Sequence, residues 1–261
     1  MTTAHLSHFQ PVTLDEMSGI RLMNRIDTKF VTTREQMVRL LVLARGDYYV
    51  QDILGERNME YRTTYYDTDR YDMYRTHQAG HANRQKLRFR NYVSSNLQFM
   101  EVKTKNNHGR TKKKRIRVDA ISLAGADRQE FLHTYLRYDS SHLMPTLSNS
   151  FRRITLVNRQ KTERLTIDSD LRFHNMNSGT DRQLDDLVII ELKRDGLCPS
   201  PILPLLRELR IKPHGFSKYC MGMALTDGTL PINRFKQKLI EVGKLLNNVE
   251  FSAPSSSIKQ Q

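Results

Sequence analysis

The sequence predicts an α+β fold: an eight-stranded antiparallel sheet closed into a barrel, with a basic interior and helices packed outside. Three observations predict it. About eight β-forming segments are interspersed with short helical ones, several of them in immediate succession. In each of five strand-like segments, charged residues occupy one parity and apolar residues the other. The charged parity is dominated by cations, within a chain that carries 42 Lys and Arg against 28 Asp and Glu, a formal charge of +14.

In chain order, the first strand runs over residues 25–31. A helix follows, announced by Thr33 and Gln36 at capping-box spacing, by Met37, Leu40, Leu41 and Leu43 near helical period, and by Gly46 as a stop. YRTTYYD at 61–67 reads as a second strand, and 69–78 as a short helix ending near Gly80. Strands at 86–92, 97–105 and 113–118 form a meander, with a turn at 106–109. A helix is expected over 122–138, then strands at 151–159, 163–168 and 186–194. After a Pro-rich link come helices at 202–210, from Ser217, and at 233–247. Residues 1–249 read as one domain, and 250–261 as a polar, disordered tail.

The functional signal lies in the parity of the charged residues. Arg88 and Arg90 share a face. So do Glu101, Lys103 and Lys105, opposite Met100 and Val102. Lys113, Arg115 and Arg117 oppose Ile116 and Val118; Arg164, Thr166 and Asp168 oppose Leu165 and Ile167; Glu191 and Lys193 oppose Ile190 and Leu192. Between Arg84 and Arg117 there are twelve Lys or Arg and one acid, Glu101, so this stretch supplies +11 of the +14. A half-buried sheet with its polar face in water would also alternate. Like charges facing each other across strands are destabilising, however. A polyanion held between them relieves the repulsion, through the fork of Arg and the point charge of Lys. An enclosed basic face of this kind suits phosphoryl transfer, which needs positioning and charge stabilisation above all.

A divalent ion, Mg²⁺ or Mn²⁺, goes with such chemistry and prefers carboxylate and water oxygens. Glu191 is the leading ligand, followed by Glu101 and Asp27; the plainer role for Glu191 is a salt bridge with Lys193. Other chemistries find no support. GxxxxGK[ST], HExxH and paired-cysteine patterns are absent. Gly80 lies between His77 and His81, and His214 reads as a turn residue. Cys198 and Cys220 make no disulfide framework, which suggests a reducing compartment. With no apolar run of roughly 18–20 residues and no signal-peptide plan, a cytoplasmic protein is expected.

IDTKF (26–30), YYDT (65–68), KLRFR (86–90), FMEVKTK (99–105), KKKRIR (112–117), IIELK (189–193) and GFSKY (215–219) occur in this order. The set resembles the VTC domain, the polyphosphate polymerase domain of the triphosphate tunnel metalloenzyme superfamily, over roughly residues 20–225. The resemblance implies an enzyme that moves the γ-phosphate of ATP onto inorganic polyphosphate with Mn²⁺ or Mg²⁺. It implies catalytic roles for Arg88, Arg90, Lys103 and Lys218. Substrate contacts would come from Lys29, Arg62, Lys113, Arg115, Arg159, Arg164, Lys193 and Ser217, and metal ligation from Glu191 and Glu101. Nucleic acid is not an expected partner. Family members often act in membrane assemblies, and this chain would need a membrane-protein partner for that.

One departure matters. Triphosphatase and cyclase relatives begin with E-x-E-x-K, where this chain has Arg25, Asp27 and Lys29. That weakens a second metal site and favours synthesis over two-metal hydrolysis. The alternatives are a tripolyphosphatase or nucleoside triphosphatase on the same barrel, and a non-catalytic polyphosphate or nucleic-acid binding module. For the latter, Tyr65, Tyr66, Phe89 and Tyr92 could stack bases, although alternation against Arg88 and Arg90 assigns the aromatics to outer packing.

Overall fold

A computed structural model describes residues 2–18, 25–108 and 110–247. In chain order the elements are α1 (Thr2–Leu6), β1 (Gln10–Val12), α2 (Leu14–Ser18), β2 (Arg25–Thr33), α3 (Arg34–Ala44), β3 (Tyr48–Gln51), β4 (Met59–Thr68), α4 (Asp72–Gln78), β5 (Arg84–Tyr92), β6 (Leu97–Lys105), β7 (Thr111–Val118), α5 (Ala126–Tyr135), β8 (Leu143–Asn158), β9 (Glu163–Asn175), β10 (Asp181–Leu184), β11 (Leu187–Asp195), α6 (Ile202–Glu208), α7 (Lys218–Thr226) and α8 (Asn233–Leu245). The expected tail at 250–261 lies outside the described residues.

Eight strands form one path in the order β2-β11-β9-β8-β4-β5-β6-β7, and β1, β3 and β10 attach to its flanks. All pairs are antiparallel except β1 with β3. The sheet is strongly curved, because Lys103 on β6 interacts electrostatically with Lys29 on β2 and Glu191 on β11. In a flat sheet six strand spacings would separate β6 from β2 by about 29 Å.

The expected closure does not occur through hydrogen bonds: β2 and β7 end the path unpaired with each other. The free edge of β2 is used otherwise, since Phe30 bridges Pro213 and His214 N donates to the Lys29 carbonyl at 2.7 Å. The chain then crosses the concave side to Ser217, whose Oγ accepts from Lys86 Nζ on β5 at 2.6 Å.

Two apolar cores cover the convex side. In one, Phe30, Ile190, Leu192, Ile167, Leu165, Ile154 and Leu156 pack against Met37, Leu40 and Leu41 of α3 and Ile202 and Leu206 of α6. Thr33 Oγ1 caps α3 by accepting from Gln36 N at 3.3 Å, as its spacing predicts. In the other, Leu87, Phe89, Met100 and Val102 pack against Met73 of α4 and Phe131 and Leu132 of α5.

A third core lies on the concave side. Tyr61, Tyr65, Leu147, Phe151, Leu171, Phe173 and Ile189 face α7, which α8 covers in turn. The expectation that apolar faces look outward therefore fails for half of this surface. Ile189 shares the parity of Glu191, and Tyr61 and Tyr65 that of Arg88 through the β4–β5 pairing, while on β9 the reason is a bulge. Register to β8 slips between Ser150 and Arg152, and Asp170 takes the left-handed conformation at φ 55°. Asp168 and Leu171, three apart, thus face the same side. Gly222 of α7 sits so close to the sheet that a Cβ would lie 2.6 Å from both Leu147 and Phe173. Asp67 of β4 ties the layers together: its carboxylate accepts from Met73 N at 2.8 Å, Tyr74 N at 2.9 Å and Tyr219 OH at 2.6 Å.

Candidate functional site

The remaining half of the concave face holds three buried or largely buried carboxylates, each gripped by two cations. Asp168 on β9 is 4 % exposed. It receives Arg153 of β8 in a bidentate fork, Nε to Oδ1 at 2.6 Å and Nη2 to Oδ2 at 2.8 Å, and its Oδ2 also accepts from Lys218. Glu191 on β11 binds Lys29 of β2 and, at 3.0 Å, Lys193. Glu101 on β6 is 0 % exposed; Arg88 reaches its Oε2 at 2.6 Å and Lys113 its Oε1 at 3.1 Å.

The electrostatics follow from burial and pairing. Burial opposes ionisation, but Arg153 and Lys218 hold Asp168 well below the usual carboxylate range. Lys193 and Lys29 do the same for Glu191, and Arg88, Arg90 and Lys113 bring Glu101 to about 2. Desolvation by the surrounding walls and the charges of Arg88, Lys29 and Lys86 lower Lys103 to about 7, yet Lys103 remains solvent-exposed. Desolvation, with repulsion from Arg153 and Lys29, likewise lowers Lys218 to about 8 despite Asp168.

Arg90 is the outlier. It is 8 % exposed, its Nε has no hydrogen-bond partner, and its guanidinium lies 5.7 Å from the Tyr61 ring centroid. Repulsion from Arg88 and Arg153 adds to its burial in lowering its affinity for its own proton. A buried guanidinium so placed calls for an anion.

Of the sequence-predicted residues, Lys29, Arg88, Arg90, Lys103, Lys113, Lys193, Glu101, Glu191, Ser217 and Lys218 come together here. Arg164 shares the face, opposite Lys193 in register. Arg115 lies opposite Glu101 at the exposed β7 end, 4.5 Å from the Phe99 ring. Two residues lie apart. Arg62 occupies the other parity of β4, is 65 % exposed and pairs with Glu60. Arg159, beyond the end of β8, reaches Gln10 and stacks 4.3 Å from Tyr49 near the β1–β3 flank.

Sequence reasoning missed Arg153 as a site residue and left Asp168 without a role. The adjacent Arg152 and Arg153 gave no parity by themselves; alignment with Asp168 through the strand pairing would have chosen Arg153. Tyr65 and Tyr92 are a further correction. They share the face of Arg88 and Arg90, whereas Tyr66 and Phe89 lie in the convex core as expected.

Among the described residues no cluster of three or more His, Cys, Asp or Glu is arranged to hold a metal. Both oxygens of Glu101 are engaged by cations. Both oxygens of Glu191 are engaged as well, Oε1 by Lys29 and Oε2 by Lys193, but at 16 % side-chain exposure against 0 % for Glu101 it is the more accessible of the two carboxylates. No described helix is long and apolar enough to cross a membrane.

Comparison with known proteins is consistent with this geometry. Residues 24–226 match the family model of the VTC domain. No curated protein matches the chain. A crystal structure from Bacillus halodurans, of a candidate adenylate cyclase, is similar in fold at a TM-score of 0.50 and 16 % identity, covering 82 % of this chain and 99 % of that one. A candidate adenylyl cyclase from Hippeastrum with dominant triphosphatase activity aligns at a TM-score of 0.44 and 13 % identity, over 80 % of this chain and 99 % of its own.

Proposed function

We propose that this chain, which belongs to the VTC domain family, is a polyphosphate polymerase that transfers the γ-phosphate of ATP to the end of an inorganic polyphosphate chain. The observation that carries the reading is the convergence of Lys29, Arg88, Arg90, Lys103, Arg153, Lys193 and Lys218 on one concavity. They come from five strands and α7, and Arg90 is buried with no carboxylate within ion-pairing distance among the described residues.

In this reading a terminal oxygen of the acceptor chain attacks the γ-phosphorus. The bond from that phosphorus to the β,γ-bridging oxygen breaks, and ADP departs with its electron pair. The attacking oxygen is already ionised, so a strong general base is unnecessary. Arg90 holds equatorial phosphate oxygens through its fork, and Arg88 and Arg153 through the guanidinium N–H groups not committed to Glu101 and Asp168. Lys218, at the first turn of α7, and Lys103 neutralise the charge that develops on the leaving side. Ser217 caps α7 by accepting from Cys220 N at 3.2 Å and fixes the approach of Lys218. Glu101 and Asp168 keep the arginines aimed. Glu191 would hold Mn²⁺ or Mg²⁺, which when bound would supply charge neutralisation to the triphosphate.

Incubation with ATP and Mn²⁺, followed by separation of products by length, tests the proposal. Chains longer than any supplied primer, with matching ADP, are expected. Orthophosphate as the sole phosphorus product would assign the site to hydrolysis instead.

A further inference from the structure

Four cations lie beyond the ion-paired site, where β5 meets α4, α7 and α8. Lys86 is on the concave face opposite Lys103 in register, and Arg84 continues the same face outward. Arg234 and Lys238 come from α8, which lies wholly outside the family match at residues 24–226. Each α8 cation is laid over a glycine. The Arg234 guanidinium occupies the space a side chain at Gly80 would fill, and Gly80 has φ +87°. Lys238 Nζ lies against Gly215 and donates to its carbonyl at 3.0 Å. Phe235, between them, anchors α8 on Tyr74 and His77, with ring centroids 5.7 and 5.6 Å apart.

Acidic compensation is confined to Glu241, which acts on Lys238 from beyond ion-pairing distance. Among the described residues no carboxylate lies within ion-pairing distance of Arg84, Lys86, Arg234 or Lys238, and the next acid on α8, Glu241, contacts His214 at 3.2 Å. Burial lowers the proton affinity of Lys238 and Arg84, and the cations add to it by repelling one another: Arg234 and Arg84 act on Lys238, and Arg234 acts on Arg84. All four also suppress protonation of the enclosed His77, whose Nδ1 lies 2.9 Å from Cys220 Sγ. Folding has assembled like charges at a cost that an anion would offset.

We propose that Arg84, Lys86, Arg234 and Lys238 form an outer subsite for the part of a condensed-phosphate chain that extends beyond the concave site. The inference rests on the reading of that site as a phosphate-chain site. Lys86 is the link, since its Nζ contacts Ser217 Oγ beside Lys218. A short ligand would stay within the inner site; a long one would run past Lys86 onto Arg84 and α8.

Calorimetric titration of tripolyphosphate and of long-chain polyphosphate into three proteins tests it: wild type, R234Q/K238Q and R88M. The α8 double variant is expected to bind the long chain about tenfold more weakly, ~1.4 kcal/mol, and tripolyphosphate within about twofold of wild type. Wild-type affinity for the long chain, or equal losses for both ligands, would overturn the outer subsite. R88M is expected to weaken both ligands. Unchanged binding in R88M alongside the long-chain loss in the α8 variant would remove the inner reading and leave the outer subsite standing. Displacement of long polyphosphate by single-stranded RNA at equal phosphate concentration would overturn the assignment to condensed phosphate. R234K/K238R, which keeps both charges, should restore long-chain affinity and guards against a folding defect.

Discussion

The two halves of the concave face are built from the same strands and differ in what fills them. On one half Leu147, Phe151, Leu171, Phe173 and Ile189 receive α7, with Gly222 allowing near contact of helix and sheet. On the other, alternate residues of those strands present Arg153, Asp168 and Glu191, joined by Lys29, Arg88, Arg90 and Glu101. The border is aromatic: Arg153 lies 5.0 Å from the Tyr61 ring, and Lys218 lies 4.3 Å from that of Phe151. The packed half therefore fixes the position of Lys218 at the edge of the charged half. Hydrophobic burial supplies the rigidity, and the charged half stores uncompensated cations that a ligand can neutralise.

The largest expected effect comes from breaking the charged half at the buried acid that joins β8 to α7. Asp168→Ala leaves Arg153 and Lys218 without their shared carboxylate and should cost about 3–5 kcal/mol in urea unfolding. Tripolyphosphate should restore more stability to this variant than to wild type, because an anion can replace the missing charge. A loss below about 1 kcal/mol would show that the pair is not needed.

Breaking the packed half should cost less. Gly222→Ala forces a methyl group into Leu147 and Phe173, and overpacking of this kind costs about 1–3 kcal/mol. Its catalytic rate should fall as well, since Lys218 shifts with α7. A fully stable variant would mean that α7 is free to move off the sheet.

The third test sharpens the electrostatic side. Lys103 has its proton affinity lowered to about 7 in the folded protein, so it is charged below that pH and loses charge above it. Tripolyphosphate affinity should thus weaken as pH rises from roughly 6 to 8.5, by about fivefold or ~1 kcal/mol. Lys103→Arg keeps its charge throughout and should make that dependence shallower, while protonation of the ligand and of Lys218, whose proton affinity is lowered to about 8, is common to both proteins. Identical pH profiles would take Lys103 out of the ligand's field.

The smallest effect belongs to the exposed end of the sheet. Arg115→Ala removes a solvent-facing cation stacked on Phe99 and should change stability by less than about 1 kcal/mol. A larger loss in a melting experiment would make β7 part of the structural core.

The difference between the halves also explains what the sequence disclosed. On β5, β6 and β7 the period of two is unbroken, so the shared face of Arg88, Glu101, Lys103 and Lys113 was legible, as was the capped helix after Thr33. On β9 the bulge at Asp170 resets the parity, and a strict alternation cannot anticipate that Leu171 and Asp168 look the same way. The early part of β8, with Pro145 and a polar run, lacks a strand signature and is recruited by β4 and β9 on either side. Closure failed for a nonlocal reason, because the edge of β2 is taken by Pro213 and His214, almost two hundred residues away in the chain. Arg62 and Arg159, expected as substrate contacts, lie on other surfaces, where Arg62 pairs with Glu60 and Arg159 reaches Gln10.

The most direct test of the central claim is a crystal structure with Mn²⁺ and a non-hydrolysable ATP analogue. The account predicts the triphosphate in the concavity, with Arg88, Arg90, Arg153 and Lys218 on its oxygens and Glu191 on the metal. A triphosphate bound on any other surface, with Arg90 still lacking an anionic partner, would contradict it.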